Sequence, residues 1–128
     1  MRAAFEGFHG DVRRVLDACP EVHKWAIYER DPLPAWSQGR VVLLGDACHP
    51  MTPYMAQGAA TSMEDAAVLA RCLDGAGPDG IVEAFARYEG ARKPRTSRIQ
   101  LESRRNKWLQ HPARPDWVYG YDACEATV

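Results

Sequence analysis

The sequence has no apolar run approaching ~20 residues, the length a membrane-spanning helix needs, so no span is expected. It has no excess of charge of one sign. Lys and Arg number 16 against 17 Asp and Glu, a net charge of −1, which gives the chain no general pull toward nucleic acid or an anionic membrane. No C-x-x-C pair occurs among Cys19, Cys48, Cys72 and Cys124. That argues against a zinc knuckle or disulfide framework and for a reduced, cytoplasmic protein. His9, His23 and His111 lack metal-ligand spacing, and no metal site is expected. The opening MRAAFEGFHGDVRRV lacks the apolar core of a secretory signal. No internal repeat or low-complexity tract is visible. What is there is 128 residues with 46% hydrophobic side chains, one ordinary domain's worth and enough to bury a core.

Ala4, Phe5, Phe8, Val12, Val15 and Leu16 recur at helical spacing, which predicts a helix over 2–18 ended by Cys19-Pro20. KWAIYER (24–30) alternates and predicts a strand, and DPLPAWSQG (31–39) a loop. RVVLL (40–44) is a continuous apolar run between turn signals, as in a parallel strand buried on both faces. Residues 57–73 read as a helix, with Met63, Ala66, Ala67, Leu69, Ala70 and Leu73 on its inner side and Asp74-Gly75 as the stop. Asp79 can cap the next helix, whose stripe is Ile81, Phe85, Tyr88 and Arg92. Pro94 should kink that helix or end it near Lys93, with a helical pattern resuming to about Gln110. The Arg- and Lys-rich run from Arg87 to Lys107 reads as a solvated face rather than a nucleic-acid patch. Trp108, Trp117, Tyr119 and Tyr121 are expected to cover a hydrophobic surface or a partner subunit.

GAGPDG (75–80) matches G-x-G-x-x-G letter by letter. It follows a helix instead of a strand and contains a proline, so it reads as a helix–helix loop and not a pyrophosphate site. The segment 40–73, RVVLLGDACHPMTPYMAQGAATSMEDAAVLARCL, has better physics. Ligands of open α/β sheets sit beyond the carboxyl ends of strands, where Gly45 lets a ligand approach the backbone and Asp46 offers an acceptor for hydroxyls. A stiff loop with two prolines leads to AQGAA, whose small residues leave the first helical amides bare and favourable to negative charge. A plain β-loop-α unit with an incidental Asp carries about equal weight on pattern alone, since fold units outnumber sites.

GRVVLLGDACHPMTPYMAQGAATSMEDAAVLARCL closely resembles the second flavin-binding motif of the class A FAD-dependent aromatic hydroxylases, in particular the salicylate hydroxylase and 6-hydroxynicotinate 3-monooxygenase type. YERDPLPAW and WVYGYDA also look like that subgroup, and the resemblance covers most of the chain. It implies that Gly45 and Asp46 bind FAD, with Asp46 on a ribityl hydroxyl. It implies that the backbone of Gln57, Gly58, Ala59 and Ala60 faces N1 and O2 of the isoalloxazine, and that Pro53, Tyr54 and Met55 lie over the flavin beside the substrate. Many relatives carry Asn where this chain has Ala60, so only the backbone role transfers there. The implied activity is hydroxylation of an aromatic acid, using FAD, NAD(P)H as reductant and O2. His49 could order the flavin loop, with an acid–base role as the less favoured reading. The catalytic residue stays unassigned. Cys48 and Cys72 are expected to pack as small hydrophobes.

The family's true G-x-G-x-x-G unit, its ribose-binding Glu and its DG motif are not in these residues. The chain is therefore expected to be the C-terminal portion of a larger enzyme, of α/β class: a helix-rich part of a Rossmann-like FAD-binding domain with a few short strands. Residues 1–36 would end the substrate-domain region and 37–128 would belong to the FAD-binding domain. Bare sheet edges would favour association, including a homo-oligomer. The rival reading is a truncated, non-catalytic fragment that serves as a half cofactor site or interaction module.

Overall fold

The computed structural model describes residues 2–19, 21–105 and 116–128. A 3-10 turn at Arg2–Phe5 precedes helix α1 (Gly10–Asp17). Strands β1 (Ser37–Gln38) and β2 (Val41–Val42) follow, then 3-10 turns at Gly45–Ala47 and Pro53–Met55. Helices α2 (Gly58–Leu73), α3 (Ile81–Arg105) and α4 (Asp116–Tyr119) complete the order. The chain is thus helix-rich, with one two-stranded antiparallel sheet among the described residues. No described helix is long and apolar enough to cross a membrane.

The body of the fold is α2 packed on α3. α2 buries Thr61, Asp65, Val68 and Cys72, one stripe at spacings of three and four. α3 answers with Ala84, Phe85, Tyr88, Arg92, Thr96 and Ile99. Trp36, Cys48, Val68, Cys72, Ala84 and Tyr88 form the main core. Met55, Ile99 and Val118 form a second one, under Met51 and Trp117. Cys48 and Cys72 pack as small hydrophobes, 0% and 1% exposed. Burial pushes the Cys48 thiol up to about 12, reinforced by the Asp65 charge.

Glu89 fastens the hairpin to α3. Its Oε2 accepts from the amides of Trp36 and Ser37, each at 3.0 Å, and from the Ser37 hydroxyl at 2.9 Å. Burial alone would raise its pKa, but these donors and Lys93 hold it below the usual carboxylate range.

Several sequence expectations are corrected. Residues 24–30 form no strand, because no neighbouring strand offers them a hydrogen-bond ladder. They are exposed, with Trp25 and Tyr28 each at 84%. The buried parallel strand over 40–44 is instead a two-residue antiparallel pairing, Ser37 opposite Val42 and Gln38 opposite Val41. Val41 is 66% exposed, since nothing covers its outer face. The helix over 2–18 is broken at Glu6–His9. Its regular part is α1, capped by the His9 ring, which accepts from the Asp11 amide at 3.3 Å. The inner side of α2 is rotated from the expected one: Met63 is 68% exposed while Asp65 is fully buried. α3 neither ends nor restarts at Pro94, because buried Arg92, Thr96 and Ile99 on either side hold its packed face. The cap of α3 is Gly80, whose carbonyl accepts the first helical bond, from Ala84, and not Asp79. The expected helical stretch from 106 to Gln110, with Lys107 and Trp108, lies outside the described residues, as do His111, Pro112 and Pro115.

Candidate functional site

Gly45 leaves β2 in the left-handed region, at φ +61°, and starts the 3-10 turn that carries Asp46. The amides of Cys48 and His49 both donate to the Gly45 carbonyl, at 2.8 and 3.0 Å, and close that turn. Asp46 itself is exposed. A β-carbon placed on Gly58, the first residue of α2, would lie 3.9 Å from Asp46 Oδ1. The carboxylate and the helix tip therefore border the same space.

The tip is bare. No side chain caps α2. The Thr61 hydroxyl turns back onto the carbonyls of Gln57 and Gly58, at 2.8 and 3.0 Å, and Ser62 donates to Gly58 at 2.9 Å. Gln57 is 5% exposed, and its amide group turns back toward the Met55 carbonyl at 3.4 Å, leaving its backbone at the tip. Gly58, Ala59 and Ala60 add no bulk there. The first amides of a helix with no partners carry partial positive charge, worth ~0.3–1 kcal/mol to an exposed anion and up to ~2 when partly buried.

The Pro53–Met55 turn enters α2 through Ala56, a non-glycine residue at φ +52° that costs roughly 1–2 kcal/mol and aims the chain into the helix. Pro53 and Tyr54 are exposed, Tyr54 at 43%. Met55 is 2% exposed and its side chain belongs to the second core. Tyr54 is thus the open aromatic group of the turn.

Behind the turn lies a buried charge network that sequence reasoning missed. Asp65 Oδ2 accepts from the Gly45 amide at 3.2 Å and pairs with His49 Nε2 at 2.6 Å. Asp65 Oδ1 accepts from Arg92 Nε at 2.7 Å. Arg92 also reaches Glu64 at 2.7 Å, and Glu64 receives Arg95 at 3.0 and 3.1 Å. Arg95 stacks over the Tyr121 ring, 4.0 Å from its centre. Burial alone would raise the Asp65 pKa, but the hydrogen bonds from His49 and Arg92 outweigh it and hold the carboxyl below its usual range. Burial opposes the Arg92 charge, and Asp65 and Tyr121 restore it. His49 is 1% exposed and held by Asp65, which suits a loop-ordering histidine. The expectation of a solvated basic face fails at Arg92, which is fully buried, and largely at Arg95. One signal was present: Arg92 fell on the apolar stripe of α3, facing a helix that carries Glu64-Asp65.

Of the residues singled out from sequence, the fold brings Asp46 and Gly58 together and sets Gln57, Ala59 and Ala60 around the same helix tip. Pro53 and Tyr54 stand on the adjoining turn. Among the described residues no His, Cys, Asp and Glu group could hold a metal ion.

Comparison with known proteins is consistent with this geometry. The chain is 55% identical over 122 residues to the 6-hydroxynicotinate 3-monooxygenase of Bordetella bronchiseptica, covering 95% of this chain and 32% of that protein. It therefore spans about a third of that relative's length. A salicylate hydroxylase substrate complex matches with a TM-score of 0.70 and 32% identity, over 77% of this chain and 29% of that one. CtdE in complex with FAD and a substrate matches with a TM-score of 0.66 and 31% identity, over 76% of this chain and 27% of that one. The family described as FAD binding domain matches residues 8–102, a span that takes in the Gly-Asp turn, the bare helix tip and the buried network. The chain belongs to that FAD-binding family.

Proposed function

We propose that this chain is the C-terminal part of a flavoprotein monooxygenase that hydroxylates an aromatic acid of the hydroxynicotinate or salicylate type, with FAD, NAD(P)H and O2. The observation that carries the reading is the Asp46 carboxylate facing the uncapped start of α2 across Gly58. A polyol chain finds an acceptor at Asp46, and an electron-rich ring edge finds the amides of Gln57, Gly58, Ala59 and Ala60. FAD, when bound, supplies the electron transfer from NAD(P)H to O2 that makes oxygen reactive. The residues of this chain orient and shield. Asp46 fixes the ribityl chain, the backbone at the helix tip favours negative charge at the ring edge, and Pro53 and Tyr54 wall the substrate side.

In this reading residues 1–36 end a substrate-domain region and 37–128 belong to a Rossmann-like FAD-binding domain. The four free thiols suit a cytoplasmic setting. The phosphate cradle, a strand–G-x-G-x-x-G–helix unit, is not among these residues. The isolated chain is accordingly expected to bind FAD weakly or not at all.

The test is a graft. This chain replaces the matching segment of the Bordetella bronchiseptica relative, and FAD content and 6-hydroxynicotinate-dependent NAD(P)H oxidation are measured. Retained flavin and turnover support the reading. Asp46→Ala in the graft is expected to lower FAD affinity at least ~10-fold, the scale of one lost charge-assisted hydrogen bond, with little change in melting temperature. A folded graft without flavin, or an Asp46→Ala graft that keeps it fully, overturns the reading.

Trp25 and Tyr28, each 84% exposed, favour a second reading in which the chain serves as an interaction module or homo-oligomer. Size-exclusion chromatography separates the two, since a clean monomer with no partner counts against docking.

A further inference from the structure

We propose that Asp65 is a positioning residue for the flavin half-site: its single buried carboxylate sets the spacing between the Asp46 turn and the start of α2. The proposal rests on the functional reading above. One side chain holds both ends of the Gly45–Ala47 turn. Its Oδ2 takes the Gly45 amide at 3.2 Å before Asp46 and the His49 ring at 2.6 Å after it. Its Oδ1 takes Arg92 of α3 at 2.7 Å. Asp65 also lies on α2, seven residues or roughly 10 Å along the helix from Gly58. The carboxylate that binds the turn therefore travels with the helix whose tip forms the other half of the site.

Energetics support positioning over simple stabilisation. Asp65, Arg92 and His49 are 0%, 0% and 1% exposed. A buried ion pair seldom stabilises more than apolar residues of the same volume, because desolvation cancels the attraction. What it supplies is direction. An aliphatic side chain at position 65 fills the space but accepts nothing from the Gly45 amide, and the turn then has no fixed register against α2. Asn presents one oxygen and one N–H2 donor, so it cannot accept from Gly45, His49 and Arg92 together.

The test is amide hydrogen exchange by NMR on the 15N-labelled 128-residue chain, comparing wild type, Asp65→Asn and Arg92→Lys. In wild type the Gly45 amide, whose acceptor is a side chain, is expected to exchange at least ~100-fold more slowly than the Gly39 amide in the exposed hairpin turn. In Asp65→Asn, Gly45, Cys48 and His49 are expected to speed up at least ~10-fold while amides around Tyr88 in α3 hold their rates. Arg92→Lys keeps the Asp65 carboxylate and is expected to leave the Gly45 amide protected. Equal wild-type rates at Gly45 and Gly39 overturn the proposal, even where Asp65→Asn fails to fold. So does a uniform acceleration across α3 in a folded Asp65→Asn chain, which marks plain destabilisation. The graft experiment above judges the functional reading separately, since its readout is flavin and not the turn.

Discussion

A β-carbon on Gly45 would fall 2.8 Å from Ser62 Oγ and 3.2 Å from Ser62 Cβ, so the turn that carries Asp46 touches α2 with no room for a side chain. Gly45 also sits at φ +61°, where an L-residue pays roughly 1–2 kcal/mol. Gly39, at φ +57° with nothing within 4 Å, carries only the second penalty. Gly45→Ala is therefore expected to destabilise the chain more than Gly39→Ala in urea melts, by roughly 1–3 kcal/mol, the usual cost of overpacking. Ser62→Gly in the Gly45→Ala background should recover part of that difference. Equal costs for the two alanines would remove the steric argument.

Removing Arg92 takes the arginine from a fully buried carboxylate. Arg92→Met is expected to cost about 3–5 kcal/mol, because Asp65 loses its buried arginine partner while Glu64 keeps Arg95. Glu83 pairs with Arg87 at 3.9 Å on the surface, and Glu83→Ala should change stability by less than ~1 kcal/mol. Denaturant midpoints of the two variants read the contrast directly. Comparable losses would mean that the buried network is no more consequential than a surface pair.

Acid should unfold the chain through Asp65 and Glu89. Both are held below their ordinary values of 3.8 and 4.5, so the folded chain binds fewer protons than the unfolded one at moderately acid pH. Their contribution is complete above the unfolded values and is lost as pH falls through the folded ones. Urea midpoints should hold near neutrality and drop below about pH 4–5. Glu89→Gln should lower stability at pH 7 and shallow the acid slope. A midpoint that rises on acidification contradicts both assignments.

Pro94 stands exposed inside a 25-residue helix and lacks the amide that would bond to Gly90. Pro94→Ala restores that bond but loosens the unfolded chain. The net expectation is a gain of roughly 1–3 kcal/mol. Thermal unfolding is the check, and a loss would show that the proline shapes α3 in a way its packed face needs.

The parts of the fold legible in the sequence are those set by local chemistry. The stop at Asp74-Gly75 and the span of α2 follow from glycine and helical spacing, and the Ile81–Phe85–Tyr88–Arg92 stripe turns toward the core as its period indicates. The Gly-Asp turn and the bare AQGAA tip were readable because each depends on small residues at fixed places. What could not be read depended on partners. KWAIYER alternates like a strand, but alternation forms no ladder without a neighbour. Nothing local in the sequence marks Asp65 for burial, and only the approach of His49, Gly45 and Arg92 from distant positions makes its burial tolerable. Met63, expected on the inner side of α2, is exposed because the buried Asp65 network turns that part of the helix, while Val68 and Cys72 still pack into the core.

Two arginines fasten the backbone of the last stretch of the chain, and Arg95 also stacks on the Tyr121 ring. Arg95 donates to the carbonyls of Trp117 and Val118 at 2.5 and 2.8 Å, and Arg71 to those of Ala123 and Ala126 at 2.9 and 2.7 Å. Every residue type offers the same carbonyl. Drift at the exposed Cys124 and Glu125 is therefore tolerated as long as the backbone keeps its path, whereas a change at Arg71 loosens Ala123 and Ala126 and one at Arg95 loosens Trp117 and Val118. The exposed part of the tail thus takes its tolerance from positions outside it, while Val118 and Ala123 answer to the cores they pack against.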